Sequence, residues 1–177
     1  MSNGSLENWL LKEDCHLNFL QRVAIMLDVV VAVEYLHHSH HTYIVHCDLN
    51  LANVLLDEEM VAHVAVFGIS KVLVVSKSIT HTVTLGSLGY IALDEIMSIS
   101  CNVYSYGIML REVLATKRPM DEEIFNKNLG LAWISEFCIA SMIELSLDCT
   151  EDTPESRITM KDVVKRLNKT KNVFLET

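Results

Sequence analysis

The chain has 177 residues, half of them hydrophobic, a formal net charge of −9 and a pI near 5.3. That length suits one domain with a real core, and the apolar fraction excludes a disordered chain. The acidic balance excludes a nucleic-acid surface, which needs clustered positive charge.

The opening Met-Ser-Asn-Gly-Ser-Leu-Glu has neither a charged n-region nor an apolar h-region, so no signal peptide is expected. Asn3-Gly4-Ser5 signals the start of a short helix carrying Leu6, Trp9 and Leu10. From Leu17 to His37 the spacing predicts a long amphipathic helix, with Leu20, Val23, Ala24, Leu27, Val30 and Val31 on one face. Its most apolar run, Val23 to Leu36, carries Asp28 and Glu34 and is too short to span a bilayer. Val54-Leu55-Leu56 and Val64-Ala65-Val66 read as two β runs around Asp57-Glu58-Glu59, a hairpin. Ser70 to Ser87 reads as a loop rich in Ser and Thr.

Val103 to Ala115 is apolar on most sides and should form a buried helix, and Cys138 to Cys149 repeats that character. Thr159, with Asp162 three residues on, should cap a last helix that buries Val163, Val164 and Leu167. Pro119 and Pro154 fall between helices. Five cysteines (Cys15, Cys47, Cys101, Cys138, Cys149) form no CxxC pair and read as the reduced thiols of a cytosolic compartment.

Between the long helix and the hairpin stands His46-Cys47-Asp48-Leu49-Asn50-Leu51-Ala52-Asn53, the pattern H-x-D-L-x-x-x-x-N followed by an apolar strand. This resembles the catalytic loop of protein kinases, in which an Asp accepts the proton of the substrate hydroxyl and an Asn five residues on reaches back to magnesium. Further stretches in kinase order strengthen the resemblance: Glu34-Tyr35-Leu36-His37-His38, Phe67-Gly68-Ile69-Ser70-Lys71, Gly86-Ser87-Leu88-Gly89-Tyr90, Asn102-Val103-Tyr104-Ser105-Tyr106-Gly107 and Leu147-Asp148-Cys149-Thr150. The chain is identified as similar to the large, C-terminal lobe of protein kinases over residues 1–177. The nearest family looks like the leucine-rich-repeat receptor-like Ser/Thr kinases of plants. The resemblance implies a mainly α fold with a small β-hairpin element and no small lobe.

The resemblance also implies roles. Asp48 matches the catalytic base, Asn53 the second-magnesium ligand, and Leu55 the residue beneath the adenine ring. Ser87 matches the hydroxyl residue that braces the catalytic Asp in Ser/Thr-specific kinases. His46 and Phe67 match two members of the hydrophobic spine, and Cys47 stands where many kinases have Arg. The implied cofactors are ATP and magnesium, and the implied site of action is the cytoplasm, at the cytosolic face of the plasma membrane for a receptor.

The departures bear on activity. The chain starts at what looks like the hinge, with no G-x-G-x-x-G loop, no V-A-I-K lysine and no helix C glutamate. Val66 replaces the aspartate that binds the bridging magnesium, and an isopropyl group cannot ligate a hard cation. Asn50 replaces the catalytic-loop lysine. Asn102 replaces an aspartate that would hold the loop's backbone, and a neutral amide gives about 1 kcal/mol where a charged acceptor gives ~1.5–3 kcal/mol. Asp94, in Ala92-Leu93-Asp94, stands for the glutamate that pairs with Arg157, one methylene shorter. Segments around Ser98 and between Phe125 and Cys138 look shortened relative to the family. Since phosphoryl transfer is nearly all positioning and electrostatics, and one charge-stabilising donor is commonly worth roughly 10²–10³-fold, the chain by itself is expected to be catalytically impaired.

Three other features have simpler readings. His37-His38-Ser39-His40-His41 has the spacing of a metal site but reads better as an exposed loop after a helix. The run Ser76, Ser78, Thr80, Thr82, Thr84, Ser87 is either phosphorylated or simply solvated. Lys161, Lys165, Arg166, Lys169 and Lys171 read as a solvated helix face. Without a small lobe above it, the face around Leu55 and Phe67 should be apolar and open, which implies self-association or pairing with a receptor kinase. The rival to the enzyme reading is a pseudokinase interaction module. No nucleic-acid partner and no direct membrane insertion are expected, and the protein substrate is left open.

Overall fold

A computed structural model describes residues 1–12, 17–38, 43–65, 71–73, 87, 89–92, 98–115 and 129–176. Val66, Phe67, Gly68, Asp94, Pro119, Cys15, His40, His41 and the Ser/Thr run from Ser76 to Thr84 lie outside them.

The architecture is mainly helical. Helix α1 spans Leu6–Leu11 and is capped by Ser5, whose side chain accepts from the Asn8 amide, the expected remedy for an unsatisfied first turn. Leu6 points fully into the core. Helix α2, Phe19–His38, matches the expected span but not the expected face. It buries Phe19, Val23, Ile25, Met26, Val29, Val30, Val33 and His37, whereas Val31 is exposed. The helix is apolar on nearly every side, so periodicity alone could not choose the buried stripe.

Strands β1 (Tyr43–Val45), β2 (Val54–Leu56), β3 (Ala62–Val64) and β4 (Lys71–Leu73) make two antiparallel two-stranded sheets, β1 with β4 and β2 with β3. The hairpin exists as expected, but its second strand begins at Ala62, earlier than Val64. Asp57 sets this register: its amide donates to the Val61 carbonyl, and its Oδ1 accepts from the Glu59 and Val61 amides. Strand β4 corrects the reading of a continuous loop from Ser70. A β-branched run around Val72 supplied the signal. On the far side of β2 the N-terminal segment pairs through Leu56 N to Gly4 O, 2.9 Å, and Asn3 N to Leu56 O, 3.2 Å.

Helices α3 (Ile99–Ala115), α4 (Leu129–Cys149) and α5 (Met160–Leu175) complete the lobe. Helix α5 starts where Thr159 caps it, and Val163 and Leu167 are buried, but Val164 is only partly so; Met160 and Thr170 take the inward places instead. Helix α4 is longer than the stretch from Cys138 suggested. It buries Cys138, Met142, Leu145 and Cys149 yet leaves Phe137 at 52%, Ile143 at 47% and Leu147 at 52% exposure. The expectation of a fully buried helix is therefore wrong for its outer face. Helices α3 and α4 approach closely at Gly107, where a Cβ would stand 2.6 Å from that of Cys149. Tyr106 crosses the core to donate to the Met26 carbonyl of α2 at 3.0 Å, and Phe19 stacks against Phe174 of α5 at 5.0 Å.

Candidate functional site

The segment from β1 to β2 reverses direction at Cys47, whose φ of +66° lies in the left-handed region, a conformation that costs a non-glycine residue ~1–2 kcal/mol. Its neighbours hold it there. The His46 side chain turns inward and is buried, donating from Nε2 to the Ala65 carbonyl at 2.8 Å, while its Nδ1 accepts from the Asp48 amide at 3.3 Å. Burial lowers the His46 pKa, against the smaller pull of Ala65 and of the Asp48 charge. Beneath it, the Asn102 side chain of α3 accepts from the His46 amide at 3.2 Å.

Asp48 then faces a cluster of neutral donors. Its Oδ1 accepts from the Ser87 amide at 2.9 Å, the Ser87 hydroxyl at 2.8 Å and Asn50 Nδ2 at 3.0 Å. Its Oδ2 accepts from Asn53 Nδ2 at 2.9 Å. Asn50 also donates to the Ser87 hydroxyl at 3.0 Å, and its Oδ1 caps the 3₁₀ turn Leu51–Asn53 by accepting from the Asn53 amide at 3.1 Å. Each carboxylate oxygen has two lone-pair sites in hydrogen-bond geometry. Oδ1 is therefore saturated, and Oδ2 keeps room for one more donor, such as a hydroxyl.

Of the residues singled out in the sequence, Asp48, Asn53 and Ser87 come together, and Asn50 joins them. Leu55 does not join this cluster: it is half-buried on the face of β2 opposite the core residues Val54 and Leu56. Two residues escaped the sequence reading. Asn50, at the lysine position by resemblance, ties Asp48 to Ser87. His37, read as the start of an exposed loop, is 1% exposed and shares a 2.9 Å contact from Nε2 with Asn102 Nδ2. No local signal separated it from the other histidines, because the buried stripe of α2 has no periodic contrast.

Arg157 is buried too, donating to the carbonyls of Glu151 and Ser100 and lying 4.9 Å from the Tyr104 ring centre. Its expected partner Asp94 lies outside the described residues. The basic face of α5 is matched by acids: Lys165 pairs with Asp162 at 2.8 Å, and Arg166 with Asp148 and Glu144.

The donor set decides how far magnesium fits. Both bonds from Asn53 Nδ2 go to Asp48, to its carbonyl and to Oδ2, which leaves Asn53 Oδ1 as one oxygen ligand of the hard type magnesium takes. Among the described residues no group of three or more His, Cys, Asp or Glu is gathered to hold a metal, and position 66 is valine. These residues offer a single ligand and do not by themselves make a metal site.

Comparison with known proteins gives the family. The rice (Oryza sativa subsp. japonica) receptor kinase-like protein Xa21 is 34% identical over 95% of this chain and 21% of its own length. The rice LRR receptor-like serine/threonine-protein kinase ER1 is 35% identical over 95% of the chain and 20% of its own length. The Arabidopsis thaliana receptor protein-tyrosine kinase CEPR1 is 35% identical over 94% and 20% respectively. The chain thus spans about a fifth of the length of these relatives. The stretch matched to Xa21 runs over 218 residues, more than this chain contains, so that relative carries residues this chain lacks. The profile of the protein kinase domain matches residues 1–167: the chain belongs to the protein kinase family.

Proposed function

We propose that this chain is the large lobe of a receptor-type Ser/Thr kinase domain, running from the hinge to the last helix, that keeps the base of phosphoryl transfer but is impaired in the transfer itself. The observation that carries this reading is the bonding of Asn50. At the lysine position of the family stands a neutral amide bound to Asp48 Oδ1 and to the Ser87 hydroxyl. In an active site of this type Asp48 Oδ2 would take the proton of a Ser or Thr hydroxyl, with Ser87 and Asn53 holding the carboxylate. A positive charge beside the transferring phosphate is what Asn50 cannot supply, and losing such a preorganised group commonly costs roughly 10²–10³-fold. In a complete active site of the family, the positions of Leu55 and Asn53 would face the adenine and one magnesium; here Asn53 Oδ1 is a single ligand, too few to hold the ion. Val66 adds no second ligand. The kinase domains of such receptors act in the cytoplasm, in keeping with the absence, among the described residues, of any helix able to cross a membrane.

The chain is therefore expected to show no magnesium-dependent rise in melting temperature at millimolar ATP, where a ligand at 100 times its Kd would add ~2.7 kcal/mol. Labelled phosphate should not be transferred to a generic Ser/Thr substrate by the chain or by Val66→Asp. Transfer that disappears in Asp48→Asn would overturn the reading of impairment.

A second reading, a pseudokinase module that binds a receptor kinase or a second copy of itself, is favoured by one observation. On the outer face of α4, Ile143 and Leu147, one turn apart, are each about half-exposed, and exposed apolar neighbours commonly mark contact sites. Sedimentation at micromolar concentration tests it: a monodisperse 20.0 kDa monomer that binds no hydrophobic dye would contradict it.

A further inference from the structure

His37, in the last turn of α2, is buried, and hydrogen-bond logic fixes its chemical state. The His46 amide can only donate, so the atom of Asn102 that meets it at 3.2 Å is Oδ1. The other end of the same side chain, Nδ2, then faces His37 Nε2 at 2.9 Å. An amide nitrogen can only donate, so Nε2 must accept and carries no proton. All three residues are 1% exposed, and a donor facing a donor there would leave both unsatisfied, at ~1–3 kcal/mol each.

We propose that His37 is a positioning residue for the loop that bears Asp48, acting through Asn102 on the backbone of His46, and that it does so only as the neutral tautomer with its proton on Nδ1. The chain of contacts is short. His37 at the end of α2 orients the Asn102 amide of α3, and Asn102 holds the His46 amide. The His46 ring, proton on Nε2, bonds to Ala65 and receives the Asp48 amide through Nδ1. Burial, with His38 alongside, lowers the His37 pKa to about 4, which supports the neutral form at pH 7.

Asn102 gains a meaning here beyond a weakened aspartate. An aspartate could accept from the His46 amide but could not donate to His37, so a histidine facing it would have to supply the proton itself. Asn102 and neutral His37 are a matched pair. This concerns the loop of the proposed site but stands whether or not that site turns over, since its test reads imidazole protons and amide exchange, not phosphate.

The test is a long-range ¹H–¹⁵N spectrum of the labelled full chain at pH 7, which reports the tautomer of each histidine. His37 is expected neutral with its proton on Nδ1, and Asn102→Asp is expected to move that proton to Nε2 or to make an imidazolium. In His37→Phe the His46 amide should exchange about 10-fold faster, the equivalent of ~1.4 kcal/mol, while the Val163 and Leu167 amides of α5 keep their rates. A wild-type His37 that carries its proton on Nε2, or is charged at pH 7, overturns the proposal even if neither variant folds. So does a His46 amide that His37→Phe leaves unchanged.

Discussion

Along the loop from His46 to Asn53 the polar side chains His46, Asp48, Asn50 and Asn53 bond to one another or to backbone, with Ser87 closing the ring and Asn102 beneath. Along α4 the order is apolar and one-sided: Cys138, Met142, Leu145 and Cys149 are packed, while Phe137, Ile143 and Leu147 face outward about half-exposed. The loop keeps its geometry with a neutral amide at position 50; the helix keeps its inner packing while Ile143 and Leu147 stand about half-exposed. Hydrogen-bond geometry survives the exchange of charged for neutral groups because amides still donate and accept at the same distances. The electrostatic work of a site does not survive it. An outward apolar face costs a fold little, so packing constrains only one side of α4.

Acid should strike the loop hardest. His37 falls from its ordinary 6.5 to about 4 because burial, and then His38, disfavour its charged form, and burial lowers His46 in the same direction. Across from them stand the neutral Asn102 and the Asp48 carboxylate, which opposes the shift at His46 without reversing it. A folded pKa below the unfolded one contributes stability that is complete above pH 6.5 and is lost as pH falls toward 4. For His37 the loss amounts to ~3 kcal/mol. Urea denaturation across that window checks it, and a flat profile between pH 7 and 4 would mean that His37 is not held neutral by burial.

The inner side of α4 should be nearly as sensitive. Gly107→Ala on α3 would drive a methyl against Cys149 Cβ at 2.6 Å, Thr150 Cγ2 at 2.7 Å and the Ser146 carbonyl at 3.0 Å. Overpacking of this kind costs about 2 kcal/mol, read as a lower urea midpoint at unchanged slope. The outer side should be almost indifferent. The double variant Ile143→Ser with Leu147→Ser is expected to change stability by less than about 0.5 kcal/mol while reducing dye binding and self-association in sedimentation. A large loss of stability would mean that this face is packed, and the contrast with Gly107 would fail.

Much of the fold was legible because it depends on local signals. Ser5 and Thr159 announce helix starts as caps, and the long apolar stretches announce helices whatever they pack against. The site was legible as a spacing, Asp48 to Asn53, because one short loop carries both. The buried stripe of α2 was not legible, since a helix apolar on nearly all sides offers no periodic contrast. The pairing of β4 was not legible either: its β-branched run marks a strand former, but its partner, Tyr43–Val45, is distant in sequence.

The sequence by itself therefore determined the family, the capped starts of α1 and α5 and the residue types available to the loop, because motif spacing and capping act within a few residues. Only the tertiary structure decided which atoms those residues meet. It turned Asn50 onto Asp48 and Ser87, and it buried His37 against Asn102 across 65 residues of chain. It also left Ile143 and Leu147 of α4 about half-exposed. Hydrogen bonds and burial are properties of neighbours in space, and no local pattern encodes a neighbour brought in from elsewhere in the chain.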